Sequence, residues 1–207
     1  LHSYIYLASK SPRRQELLKQ IGVRFELLLP ESGEDSESIE TPLPQEKARI
    51  YVERVTLAKS AAALSRWQKS GLPWAPILCA DTTVSLPNSP EGEILGKPID
   101  ATDAEHILNL LSGQVHEVLT AVALTVKPNE DPVHLVQISK VQFANLTSEQ
   151  IKTYITSGEP FGKAGAYGIQ GLGGTFIPSI QGSYSGIMGL PIYETQKLLE
   201  IAGLTRV

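Results

Sequence analysis

Ser9-Lys10-Ser11-Pro12-Arg13-Arg14 gathers two hydroxyls, a lysine and two guanidinium groups within six residues. The apolar run Tyr4-Ile5-Tyr6-Leu7-Ala8 precedes it and an amphipathic stretch, 15–21, follows. The spacing predicts strand, tight turn and helix, with Ser11 as N-cap and Pro12 in the first helical position, where its missing N–H costs nothing. Both arginines then fall in the first helical turn, the wrong end of the macrodipole for cations. Each costs roughly 0.3–1 kcal/mol there unless an anion joins it. Free backbone N–H groups, hydroxyls and guanidinium forks at one helix start suit a phosphate. An exposed basic turn would carry the same residues.

Asp81 is the next candidate. It closes the apolar run Ile77-Leu78-Cys79-Ala80 and is followed by Thr82 and Thr83. A carboxylate costs several kcal/mol to bury without a partner, so an acid at such a strand end should face a cleft, as general base, as Mg²⁺ ligand or simply as a loop cap. Lys97 in Gly96-Lys97-Pro98 sits between two backbone-restricting residues, fitting an anion contact or a solvated turn. Lys59 lies beside the apolar face of a long helical pattern. Glu31, Glu34 and Asp35 form an acidic loop that is solvated surface unless it folds over a metal. The stretch Lys163-Ala164-Gly165-Ala166-Tyr167-Gly168-Ile169-Gln170-Gly171 combines a lysine, small residues that let a backbone approach a ligand, and one amide able to donate and accept. His116 has no second histidine at metal spacing and reads as structural. Cys79, the single cysteine, reads as strand packing and leaves no internal disulfide or Cys-based zinc site.

The elements that must position these groups are legible in outline. After the first helix, 23–29 reads as a strand and 45–69 as a helix closed by Gly71, with Tyr51, Val55, Ala58 and Ala62 at helical spacing. A strand over 77–86 follows, then a turn-rich loop at 87–92. Thr102 and Glu105 read as a capping box for a helix ending near Ser112-Gly113. Strands over 115–126 and 133–146 read as a hairpin. Thr147 and Gln150 form a second capping box for a helix stopping at Gly158, a strand covers 175–180, and Pro191 opens a last helix to about Ala202. Without strict βαβ alternation, the expectation is a mixed sheet.

At 207 residues the chain can bury one compact α/β core, and the expectation is a single domain over 1–207. Its 42% hydrophobic and 19% charged residues are ordinary for a soluble protein. A net charge of −4 argues against a broad nucleic-acid footprint, so an anion site must be local. No apolar run approaches the roughly 20 residues of a membrane span, and the start lacks a signal-peptide pattern. The expected setting is cytoplasmic.

Taken together, the segments resemble the Maf family of nucleoside triphosphate pyrophosphatases. The resemblance is carried by Leu7 through Arg14, Ala80-Asp81-Thr82, Leu95-Gly96-Lys97-Pro98, Leu111-Ser112-Gly113 with His116, Thr120-Ala121-Val122, the run 163–171, and Gly182-Ser183-Tyr184 with Gly189-Leu190-Pro191. They occur in family order over nearly the whole chain. The form Tyr167-Gly168-Ile169-Gln170-Gly171 is similar to the branch acting on dTTP and UTP. The resemblance implies hydrolysis between the α- and β-phosphates, giving a nucleoside monophosphate and pyrophosphate. It implies Asp81 as proton acceptor and Arg13, Thr82 and Gln170 as specificity positions. Ser9, Arg13, Arg14, Lys59 and Lys97 would cradle the triphosphate, with Lys163 beside them. Glu34, or Glu31 in its stead, would join Asp81 in holding Mg²⁺ or Mn²⁺. The implied fold is a long twisted mixed β-sheet flanked by helices, two lobes about a central cleft, similar to inosine triphosphate pyrophosphatase, and usually a homodimer. Two other classes compete. Nucleotidyl transfer normally wants a glycine-rich first turn and a second acid pair. A nucleotide-binding regulator of septum formation would not need Asp81 on an apolar strand.

Overall fold

The computed structural model describes residues 2–30, 38–87, 89 and 94–204. In chain order the strands are β1 (Ile5–Leu7), β2 (Phe25–Leu27), β3 (Ile77–Ser85), β4 (Ile94–Leu95), β5 (Val115–Thr125), β6 (Val133–Gln142) and β7 (Ser179–Gln181). The α-helices are α1 (Pro12–Gln20), α2 (Ala48–Ser70), α3 (Ala101–Leu111), α4 (Ser148–Thr156), α5 (Tyr184–Met188) and α6 (Ile192–Ile201). The strands form one mixed sheet in the order β2-β1-β3-β5-β6-β7, with β4 paired to β3. β1 runs parallel to both β2 and β3, and the remaining pairings are antiparallel. This is the expected mixed sheet flanked by helices. No helix among the described residues is long and apolar enough to cross a membrane.

The interior strands are covered on both faces, which is why β3 reads as a continuous apolar run rather than an alternation. The period of two still sorts its side chains. Leu78 and Ala80 pack with Ile5, Leu18 and Leu198 toward α1 and α6. Ile77 and Cys79 pack with Tyr6 and Ala63 toward α2. A further core joins Val118 and Val84 to Leu108, Phe143, Tyr154 and Tyr167, building the second lobe around α3 and α4. The cleft lies where the lobes meet.

Several boundaries differ from the sequence reading. β2 spans only Phe25–Leu27, and α2 begins at Ala48, after Gln45 at φ 58° and an extended Lys47 at the N-cap. The cap of α3 comes two residues early. Asp100 accepts from the Asp103 N–H at 2.8 Å while the Asp103 carboxylate takes the Ile99 N–H at 2.9 Å, so Asp100, rather than Thr102, is the N-cap. The Thr147/Gln150 capping box forms as read. Residues 172–176 wind into a 3-10 turn, leaving only Ser179–Gln181 as strand. The short helix α5, capped by Ser183 on the Gly186 N–H, was not expected.

Candidate active site

β1 ends at Leu7, paired with Leu78, and β4 begins only opposite Val84. On that edge β3 is without a strand partner over the stretch containing Ala80–Thr83, among the described residues. The cleft opens in this gap, beyond the carboxyl end of β1, where ligands in open α/β sheets characteristically sit. Its volume is about 480 Å³, within the range of small-molecule sites. Asp81 is therefore not at a strand end. It stands in the middle of β3, opposite Ala121 of β5, and although buried it lines the cleft because the neighbouring strands stop short.

Successive residues of a strand point to opposite faces, so Asp81 and Thr82 are met from different sides. On the α2 face, Lys59 Nζ lies 2.6 Å from Asp81 Oδ1. Lys59 follows Val52, Val55 and Thr56 at helical spacing on the buried stripe of α2, which brings it over the sheet. On the other face, Arg14 Nη2 donates to Thr82 Oγ1 at 3.3 Å, and Thr82 Oγ1 lies 2.9 Å from Thr120 Oγ1. Thr120 spends its hydroxyl proton on the Gly186 carbonyl at 2.8 Å. Thr82 must then donate to Thr120, which leaves a lone pair of Thr82 as an acceptor toward the cleft.

The two arginines of the opening motif divide their work. Ser11 occupies the N-cap position and Pro12 the first turn, but the Ser11 side chain makes no cap; its N–H donates to Ser9 Oγ at 3.2 Å. Arg14 uses three of its N–H groups inside the protein: Nε to the Gly189 carbonyl at 2.7 Å, Nη1 to Ser9 Oγ at 3.1 Å, and Nη2 to Thr82. Burial, joined by the Arg13 charge, draws its pKa down, while Asp81 opposes them. Arg13 gives Nε to the Met188 carbonyl at 3.2 Å and lines the cleft. Burial lowers its pKa as well.

Glu40, which sequence reasoning missed, completes the α2 side. Its Oε1 lies 2.7 Å from Lys59 Nζ and its Oε2 2.6 Å from Lys97 Nζ. Burial raises this carboxyl, but the charges and hydrogen bonds of Lys59 and Lys97 outweigh burial and hold it below its usual range. One acid among several in the 31–40 run has no local signal to mark it; only the fold brings it to the lysines. Glu34 and Glu31 lie outside the described residues. Lys163 and Gln170 reach the cleft from the loop after α4, where Lys163 Nζ donates to the Glu159 carbonyl. Lys10 lines the cleft too. Arg13, Arg14, Lys10, Lys59, Lys97 and Lys163 thus face two carboxylates, Asp81 and Glu40, a local positive excess in a chain of net charge −4. His116 is elsewhere: fully buried, with Nε2 at 2.8 Å from the Tyr167 hydroxyl, it is structural as read. Cys79 is buried.

A two-lobed α/β chain with two carboxylates set among a larger number of cations at a sheet gap has the makings of an anion-handling protein. The family model described as "Maf-like protein" matches residues 4–202, and the chain belongs to that family. It is similar to the dTTP/UTP pyrophosphatase of Ralstonia nicotianae, 55% identical over 204 residues covering 99% of this chain and 96% of the relative. It is also similar to the dTTP/UTP pyrophosphatase of Cupriavidus pinatubonensis, 53% identical over 204 residues and 99% of each chain. Among solved structures, the Staphylococcus aureus Ham1 protein aligns over 69% of this chain and 72% of its own, with 14% identity and a TM-score of 0.43.

Proposed function

We propose that the chain is a nucleoside triphosphate pyrophosphatase acting on dTTP and UTP, as its relatives' names state for them. The observation that carries this reading is Asp81 itself, mid-strand at the gap, with Lys59 on one side and the Arg14–Thr82 pair adjoining on the other. Water attacks the α-phosphorus, the bridge to the β-phosphorus breaks, and pyrophosphate leaves. Asp81 takes the proton of that water. Arg13, Lys59, Lys97 and Lys163 neutralise the triphosphate and the leaving pyrophosphate, the main demand of phosphoryl chemistry. Arg14 and Ser9 hold the shape of the cradle, and Thr82 and Gln170 read the nucleotide.

A divalent cation fits this donor set. Asp81 and Glu40 offer hard carboxylate oxygens converging on Lys59. Among the described residues no group of three acids, histidines or cysteines forms a full cage. The pair of carboxylates suits Mg²⁺ or Mn²⁺, which would take the remainder of its shell from substrate oxygens and water. When bound, the ion would neutralise phosphate charge. The position of Glu40 between Lys59 and Lys97 supports a metal-side role for it. The reading extends to a homodimer of single-domain chains, which light scattering would test.

Incubating the purified protein with dTTP or UTP and Mg²⁺ should release pyrophosphate and the monophosphate. Release of orthophosphate, or no turnover, would refute the proposal.

A further inference from the structure

Gln170 stands on a loop of glycines and 3-10 turns, with no strand or long helix to hold it. A glutamine amide carries both a donor and an acceptor and can present either by rotation. It therefore matches cytosine as readily as uracil unless the backbone beneath it is fixed. One side chain outside the cleft does that fixing. The Glu159 carboxylate accepts from the Leu172 N–H at 2.8 Å through Oε2, and from the Gly173 N–H at 3.0 Å and the Tyr154 hydroxyl at 3.0 Å through Oε1. The same Tyr154 oxygen accepts from the Gly168 N–H at 3.4 Å. Glu159 and Tyr154 thus grip the backbone on both sides of Gln170.

The glycines in this loop are shaped to the grip. A Cβ on Gly171 would lie 2.5 Å from Glu159 Oε2, and one on Gly173 would lie 2.8 Å from the Tyr154 hydroxyl. Burial raises the Glu159 carboxyl, but the bonds from Gly173, Leu172 and Tyr154 overcome it and keep the group ionised. An ionised carboxylate accepting from two backbone N–H groups and a phenol is a strong, directional brace.

We infer that Glu159, supported by Tyr154, is a positioning residue that sets base selectivity by holding the backbone around Gln170. This rests on Gln170 reading the base, as proposed above. Replacing Glu159 with Gln turns one acceptor into a donor facing a donor, which loosens the loop without removing bulk.

The test is a comparison of kcat/KM for dTTP, UTP, dCTP and dATP in the wild-type protein, Glu159→Gln, Tyr154→Phe, Gln170→Ala and the Glu159→Gln/Gln170→Ala double variant. Glu159→Gln should cut the dTTP/dCTP preference by about tenfold, the scale of one well-placed hydrogen bond. Tyr154→Phe should act in the same direction by less, and it keeps the test open should Glu159→Gln fail to fold. The double variant should be no less selective than Gln170→Ala alone, because both act through one contact. If Gln170→Ala relaxes selectivity while Glu159→Gln and Tyr154→Phe lower only the melting temperature, the positioning role is refuted and the reading of Gln170 stands. If Gln170→Ala itself leaves selectivity intact, the base-reading role falls and this inference falls with it.

Discussion

The two ends of the cleft are built on different principles. The proposed phosphate end rests on regular elements: Ser9 just past β1, Arg13 and Arg14 on α1, Lys59 on α2, and Asp81 on β3. Their backbones are held by ladders and by cores that are almost wholly buried, such as Leu7, Leu18, Val55 and Leu78. The proposed base end rests on a loop between α4 and β7 whose shape is kept by side-chain bonds from Glu159, Tyr154 and His116. Triphosphate is common to all nucleotides, and a rigid charged cradle can bind it without discrimination. Discrimination between bases depends on a few directional bonds, so it is carried by the part of the site that a few bonds can move. The difference separates substitutions that scale every substrate alike from those that change the ranking of substrates.

Asp81→Asn should have the largest effect. Losing the proton acceptor should lower kcat by about 10³-fold for every nucleotide, within the range of general-base contributions, while nucleotide binding persists. Pyrophosphate release beside equilibrium binding of dTTP measures both. A variant that kept its rate would move the base to Glu40.

Arg13→Ala comes next. Removing a guanidinium that faces the triphosphate should lower kcat/KM by roughly 10- to 100-fold, as for a hydrogen bond to a charged group. The loss should be equal for dTTP, UTP and dCTP. A loss confined to one base would place Arg13 at the wrong end of the cleft.

Gln170→Ala sharpens the contrast from the other side. Here the dTTP/dCTP ratio should fall by about tenfold with little change in the rate for the disfavoured nucleotide. Equal losses for all bases would dissolve the distinction between the two ends.

Last comes an effect on stability and not on rate, a pH dependence at the proposed base end. Burial pushes the His116 imidazole down to about 3 from an ordinary 6.5. Its folded pKa is depressed, so the unfolded chain binds a proton below 6.5 that the native state refuses. This contribution is complete above pH 6.5 and is lost as pH falls toward 3, at about 1.4 kcal/mol per pH unit where the slope is full. Urea unfolding at pH 7 and pH 5 should show His116→Gln with a shallower decline than the wild-type protein. Identical slopes would mean that another group carries the dependence.

The parts of the site that the sequence announces are those whose signals are local. Pro12 after Ser11 marks a helix start, and two arginines in its first turn mark a place for an anion. The Thr147/Gln150 box marks α4, and Gly71, in the left-handed conformation with φ 68°, marks the close of α2. The same locality misled at Asp100, where a cap two residues before the expected one competes with equal chemistry, and at 175–180, where a 3-10 turn runs to Phe176 and the strand begins only at Ser179.

From the sequence alone come the residue types: a basic helix start, an acid on an apolar strand, a lysine in a restricted turn and an amide in a glycine loop. Their order along the chain carries the family resemblance. The tertiary structure alone decided which of them meet. Arg14 is anchored on the Gly189 carbonyl, 175 residues away, and Lys59 reaches both Glu40 and Asp81. Asp81 meets the cleft from mid-strand only because β1 stops at Leu7, and Glu159 holds a backbone more than ten residues ahead of it. Such pairings depend on where strands end and which faces pack. Those outcomes are set by the whole core, and no single segment encodes them.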